Sequence, residues 1–165
     1  MTLPRVASSR WLLAAIGLSA FGLVTAGLAL ARTLNLAACP LCILQRMLYL
    51  ALAMESIVAF FLARQPIAGR LSTLLMSITA LTGVSVAAYQ TWLQRFAKGV
   101  SCTADQPWWE HFVYWAGEQY PWLFESTGLC SEAGWKFLGL SIAEWSLIAF
   151  TTFTIATLVV LRRKN

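Results

Sequence analysis

Residues 11–31 run for 21 positions without a charged side chain, and residues 71–93 run for 23. At 1.5 Å per helical residue, each run reaches roughly 30–35 Å, the thickness of a bilayer core. Two further apolar stretches, about 41–63 and 142–161, are of similar length and admit Arg46, Glu55 and Glu144. In lipid every backbone N–H and C=O must find its partner within the protein, so such runs are helices. The expected fold is therefore an all-α membrane protein, a single domain over residues 1–165 built as a bundle of four transmembrane helices. Composition agrees: 59% of the residues are hydrophobic and only 12% are charged, against about 25% charged in a soluble globule. A cleaved signal peptide is the rival reading for the first run, because Ala29-Leu30-Ala31 resembles a small-residue cleavage site. Signal cores span only about 7–15 residues, which favours a retained helix.

The formal net charge of +5 does not indicate a nucleic-acid partner. The basic residues stand singly or in pairs at the ends of apolar runs, with only Arg162-Arg163-Lys164 clustered. That is a pattern of membrane orientation, not of a phosphate-binding groove. Both termini and the turn at 64–70 carry Arg5, Arg10, Arg64, Arg70, Arg162, Arg163 and Lys164, without one acid. The helix-breaking types Pro66 and Gly69 mark 64–70 as a turn. The opposite side mixes Arg32, Arg95, Lys98 and Lys136 with Asp105, Glu110, Glu118, Glu125 and Glu132. The positive-inside rule puts both termini in the cytoplasm and all four cysteines on the far side. There the long segment 94–141 holds five of the eight tryptophans, which suits a loop lying on the membrane with indoles at headgroup level. Trp108 and Trp109 are read as anchors of this kind, and His111 as a surface residue.

The cysteines fall as Cys39/Cys42 and Cys102/Cys130. They can be structural disulfides, a four-thiolate zinc site, or redox centres. Zinc sites usually supply a second closely spaced pair, which 102/130 is not. A Cys-x-x-Cys pair is a poor staple and a common redox unit. If a helix begins near Pro40, the proline occupies its first turn without cost. Cys42 then lies where free N–H groups and the helix dipole favour a thiolate. Arg46, one turn further on the same face, can stabilise that thiolate, bind a carbonyl oxygen of an acceptor, or simply reach the headgroups. Glu55, nine residues beyond Arg46, faces the other way. An intramembrane carboxyl raises a functional question by default; a neutral Glu55 bonded to a neighbouring helix is the simpler reading.

Cys39-Pro40-Leu41-Cys42-Ile43-Leu44-Gln45-Arg46, opening the second of four spans, resembles the DsbB family of disulfide bond formation proteins. The later pair Cys102 and Cys130 resembles it too, as does Trp135-Lys136-Phe137-Leu138-Gly139-Leu140-Ser141 before the last span. The resemblance covers nearly the whole chain. It implies an inner-membrane protein-dithiol:quinone oxidoreductase that reoxidises the periplasmic oxidase DsbA and passes electrons to ubiquinone or menaquinone. Carried over by position, Cys102 is attacked by the partner, Cys130 is its mate and exchanges with Cys39, Cys42 meets the quinone, and Arg46 polarises it. Loop 94–141 is then periplasmic, and nothing demands more than a monomer. Some relatives carry a histidine near the end of the third span that assists at the quinone. Here that position is Gln90, which donates hydrogen bonds but exchanges no proton near neutral pH, so that role does not carry over. From a different class, a small transporter or assembly factor with purely structural cysteines fits the same helices; quinone consumption separates the two.

Overall fold

The computed structural model describes residues 3–97 and 107–163. Four helices among them are long and apolar enough to cross a membrane: α1 (Leu3–Thr33), α2 (Pro40–Leu62), α3 (Pro66–Phe96) and, after the loop, α6 (Ile142–Arg163). The loop itself holds α4 (Trp108–Gln119), α5 (Pro121–Phe124) and a minimal antiparallel hairpin of β1 (Lys136–Phe137) and β2 (Leu140–Ser141). The long helices pack in a ring in which α1 meets α2, α2 meets α3, α3 meets α6, and α6 returns to α1. Only 28–33% of each span's most apolar window is buried in this ring. Side chains such as Leu18, Phe61, Leu71 and Ile155 face outward, so the bundle needs lipid as its solvent. It is a four-span membrane protein.

The helix ends follow from local chemistry. Asn35, at φ 48°, ends α1 in the left-handed conformation that asparagine tolerates. Pro40, Pro66 and Pro121 each open a helix at its first positions, where a missing N–H breaks no bond. Pro66 thereby narrows the turn read over 64–70 to residues 63–65. It starts α3 rather than stopping α2, and the Gly69 N–H donates to Gln65 O at 2.9 Å. With 31 residues, α3 is about 46 Å long and overshoots a bilayer core of about 30 Å. Its last turn takes in Gln94 and Arg95, beyond the expected end of the span at residue 93.

The inner face is built from small residues and a few rings. Ala20, Ala53, Ala80 and Ala87 let the helices approach closely. Tyr49 stacks on Phe150 with centroids 4.1 Å apart and planes 5° from parallel. At the loop end, Ser141 and Glu144 cap α6 reciprocally: the Glu144 N–H donates to Ser141 Oγ, and the Ser141 N–H to Glu144 Oε2. Arg95 at the end of α3 pairs with the same carboxylate, tying together the two helices that bracket the loop. Glu55 accepts a hydrogen bond from Thr79 Oγ1 of α3 at 2.8 Å, a bond to a neighbouring helix.

Candidate active site

Cys39 precedes α2 as its N-cap, in extended conformation (φ −91°, ψ 163°), and its sulfur accepts the Cys42 N–H at 3.3 Å. This cap folds the Cys-Pro-Leu-Cys segment back on itself, so the two sulfurs lie 2.9 Å apart. A disulfide bond measures about 2.05 Å, so a small movement joins them. Cys130, from the loop, makes a side-chain hydrogen bond with Cys39. Cys39 and Cys130 are both buried, in a cluster with Leu41. Hydrogen bonding with Cys130, then with Cys42, together with burial, pushes the Cys39 thiol well above the usual thiol range. Cys39 is therefore a proton-keeping sulfur between two others.

Backbone contacts bring Cys130 there. The Thr127 and Gly128 N–H groups both donate to Ala38 O at 2.9 Å, next to Cys39 in the chain. Two arginines hold the preceding segment: Arg32 Nη2 donates to Trp122 O at 3.2 Å, and Arg46 Nη1 to Leu123 O. These carbonyls belong to α5 and accept cations readily. Arg46 thus serves the loop in addition to standing near Cys42, within reach of its charge. A guanidinium has five N–H donors, and the Leu123 carbonyl takes one.

A cavity of about 140 Å³ opens beside the pair. Leu23 and Val24 of α1 supply apolar wall, Tyr49 a ring, and Cys42, Arg46 and Gln90 the polar points. A void of about 150 Å³ accepts a benzene ring, so this space is the size of one six-membered ring.

The sequence model of the family described as Disulfide bond formation protein DsbB matches residues 9–160. The chain belongs to the DsbB family. It is 40% identical over 156 residues to Disulfide bond formation protein B of Dechloromonas aromatica, covering 92% of each chain. It is 32% identical to the proteins of that name in Aromatoleum aromaticum, over 87% of each chain, and Nitrosospira multiformis, over 92% of this chain and 90% of that one. Forming disulfide bonds is oxidoreductase chemistry, and the three sulfurs are arranged for it.

Of the site residues read from the sequence, the DsbB-type fold brings together Cys39, Cys42, Cys130 and Arg46. Cys102 lies outside the described residues. The places of three side chains at the site differ from the reading of the residues. Gln90, set aside above, is 1% exposed and donates from Nε2 to Cys42 Sγ at 3.0 Å and to Cys39 Sγ at 3.2 Å. Gln45, also buried, donates to Gln90 Oε1 at 2.6 Å. Trp109, read as an anchor, packs against the Cys39–Cys130 cluster, while Trp108 is exposed. Adjacent helical residues point about 100° apart, so one faces out and the next faces in. His111 is exposed.

Proposed function

We propose that this protein reoxidises a periplasmic DsbA-type dithiol oxidase and delivers the electrons to a membrane quinone, ubiquinone or menaquinone. The reading rests on the row of three sulfurs: Cys130 against Cys39, Cys39 2.9 Å from Cys42, and Cys42 on the wall of a ring-sized cavity. The arginine distribution supports a bacterial inner-membrane location with cytoplasmic termini and periplasmic cysteines. A periplasmic loop lying on the membrane agrees with exposed Trp108, Phe112 and Trp115 on α4.

The relay moves one pair of electrons by thiol–disulfide exchange. A thiolate of the reduced partner attacks Cys102 of a Cys102–Cys130 disulfide, and Cys130 leaves as thiolate. The partner's second thiol displaces Cys102 and closes the partner's own disulfide. Cys130 attacks Cys39 of a Cys39–Cys42 disulfide, and Cys42 leaves as thiolate. Cys102 then attacks Cys130, restoring the loop disulfide and releasing Cys39. Two electrons and one proton have passed from the partner to Cys39 and Cys42, the partner's other proton having gone to solvent when its attacking thiolate formed. Once released, Cys39 takes up a proton, in keeping with its high proton affinity.

The cavity fits a quinone head: an apolar wall for a flat ring, with Arg46 as a hydrogen-bond donor near Cys42. A quinone bound there would take up the two electrons and two protons as the Cys39–Cys42 disulfide reforms. Arg46 and the α1 wall would hold it, and Arg46 would offset negative charge at the ring oxygens.

The test is quinone reduction by the purified protein in detergent, with a reduced DsbA-type protein as donor. Wild type turns over, whereas Cys42→Ser and Cys102→Ser do not, and Cys102→Ser retains a Cys39–Cys42 disulfide. Quinone left untouched by wild type would overturn the reading and favour purely structural cysteines.

A further inference from the structure

Gln90 and Gln45 are two buried amides that the relay does not use. Gln90 Nε2 lies 3.0 Å from Cys42 Sγ and 3.2 Å from Cys39 Sγ, so its two N–H groups address the two sulfurs of one redox pair. Its oxygen accepts Gln45 Nε2 at 2.6 Å. An amide has one accepting and one donating end. With the accepting end occupied by Gln45, the donating end is turned toward the sulfurs. Both side chains are almost fully buried, Gln45 4% and Gln90 1% exposed, where a flipped amide would put oxygen against sulfur and leave N–H facing N–H.

We infer that Gln90 sets the redox poise of the Cys39–Cys42 pair by donating to both sulfurs, and that Gln45 is the positioning residue that keeps its amide in the donating orientation. Neutral sulfur is a weak acceptor, so spending both N–H groups on sulfurs does little for a disulfide. A thiolate is a strong, charged acceptor. The donors therefore stabilise the reduced pair over the disulfide, which makes the pair more oxidising, as for other dithiols whose reduced form is favoured. A more oxidising Cys39–Cys42 disulfide draws electrons from Cys130 more completely. This inference rests on Cys39 and Cys42 forming a reversible disulfide and on no property of the final acceptor.

The experiment equilibrates the full-length protein, in detergent and without quinone, with thiol–disulfide buffers of graded potential. After acid quenching, mass spectrometry reads the oxidised fraction of the Cys39–Cys42 peptide. Gln90→Met is expected to shift the equilibrium about tenfold toward the disulfide, a fall of about 30 mV for a two-electron couple. Gln90→His, which restores an N–H donor, recovers part of the shift. Gln45→Met shifts it in the same direction by a smaller factor, and adds nothing in the Gln90→Met background. Potentials unchanged in Gln90→Met overturn the inference. So does a Gln45→Met shift that persists undiminished without Gln90. Should Gln90→Met fail to fold, the shift in Gln45→Met and its absence in Gln45→Met/Gln90→His carry the same decision. No reversible Cys39–Cys42 disulfide at any poise in wild type would instead overturn the redox reading of the pair itself.

Discussion

Cys39 takes part in hydrogen bonds with two other sulfurs and sits almost free of solvent, and each of these circumstances holds its proton on. Alkylation follows the thiolate fraction, so its pH profile reports that proton. In the fully reduced protein the midpoint for Cys39 should lie above the ordinary thiol value of about 8.5. Bonding with Cys130 is the largest cause, so Cys130→Ala should move the midpoint down. Iodoacetamide labelling across pH, read at the Cys39 peptide, checks both; an unmoved midpoint would remove Cys130 from the account. The Cys-Pro-Leu-Cys spacing made the sulfur pair and its helix start legible from residues alone. Gln90 was legible only as the counterpart of a family histidine; its contacts with the two sulfurs were not, because a glutamine in an apolar helix carries no spacing signature. Its partners Gln45 and Cys42 are 45 and 48 positions away, and only the packing of α3 on α2 makes them neighbours.

The elements were legible where the physics leaves few choices, and less so at their ends. A charge-free run of 21 or 23 residues has almost no alternative to a membrane helix, whereas Pro66 stops one helix or starts another with equal ease. How the helices pair was not readable from their apolar faces, since lipid and protein interior attract leucine alike; small residues decide it. Gly83 of α3 is the sharpest case. A Cβ there would stand 2.2 Å from the Phe150 ring, the same ring that stacks on Tyr49. Gly83→Ala should force that ring aside and cost about 1–3 kcal/mol, the usual range for overpacking. Alanine is otherwise the better helix former by up to about 1 kcal/mol. Gly22→Ala on α1, where nothing lies within 4 Å, should therefore be neutral or slightly stabilising. Unfolding in detergent, followed by tryptophan fluorescence, compares the two; equal stabilities would show that α3 and α6 do not meet through Gly83.

At the scale of the whole molecule, the bundle is a platform that carries one loop to one point. Arg95–Glu144 ties the helices flanking the loop, Arg32 and Arg46 hold α5, and the Ala38 carbonyl takes two N–H groups from Thr127 and Gly128. Cys130 arrives at Cys39 as the result of these contacts across 91 positions of chain, which no local spacing encodes; the sequence pointed to their exchange only through resemblance to a family. Backbone lies against backbone at this docking point. A Cβ on Gly128 would stand 2.5 Å from Ala37 O and 2.9 Å from Ala37 C, and neither atom can swing away as a side chain would. Gly128→Val should therefore lift the loop from Ala38 while leaving the helices intact. A variant with Cys42→Ser and Cys102→Ser retains only Cys39 and Cys130 of the four cysteines, and mild oxidation should join them rapidly. Adding Gly128→Val should slow that bond on the order of tenfold to a hundredfold, the scale set by about 1 Å of misplacement between reacting groups. Gly134→Ala, also in the loop but with only Leu36 Cδ2 at 4.0 Å, should cross-link at the parent's rate. Mass spectrometry of the Cys39–Cys130 peptide over time reads the comparison. If Gly128→Val joins the two sulfurs as fast as its parent, the Ala38 contact is not what brings Cys130 to the site, and the two arginine–carbonyl bonds to α5 become the next contacts to cut.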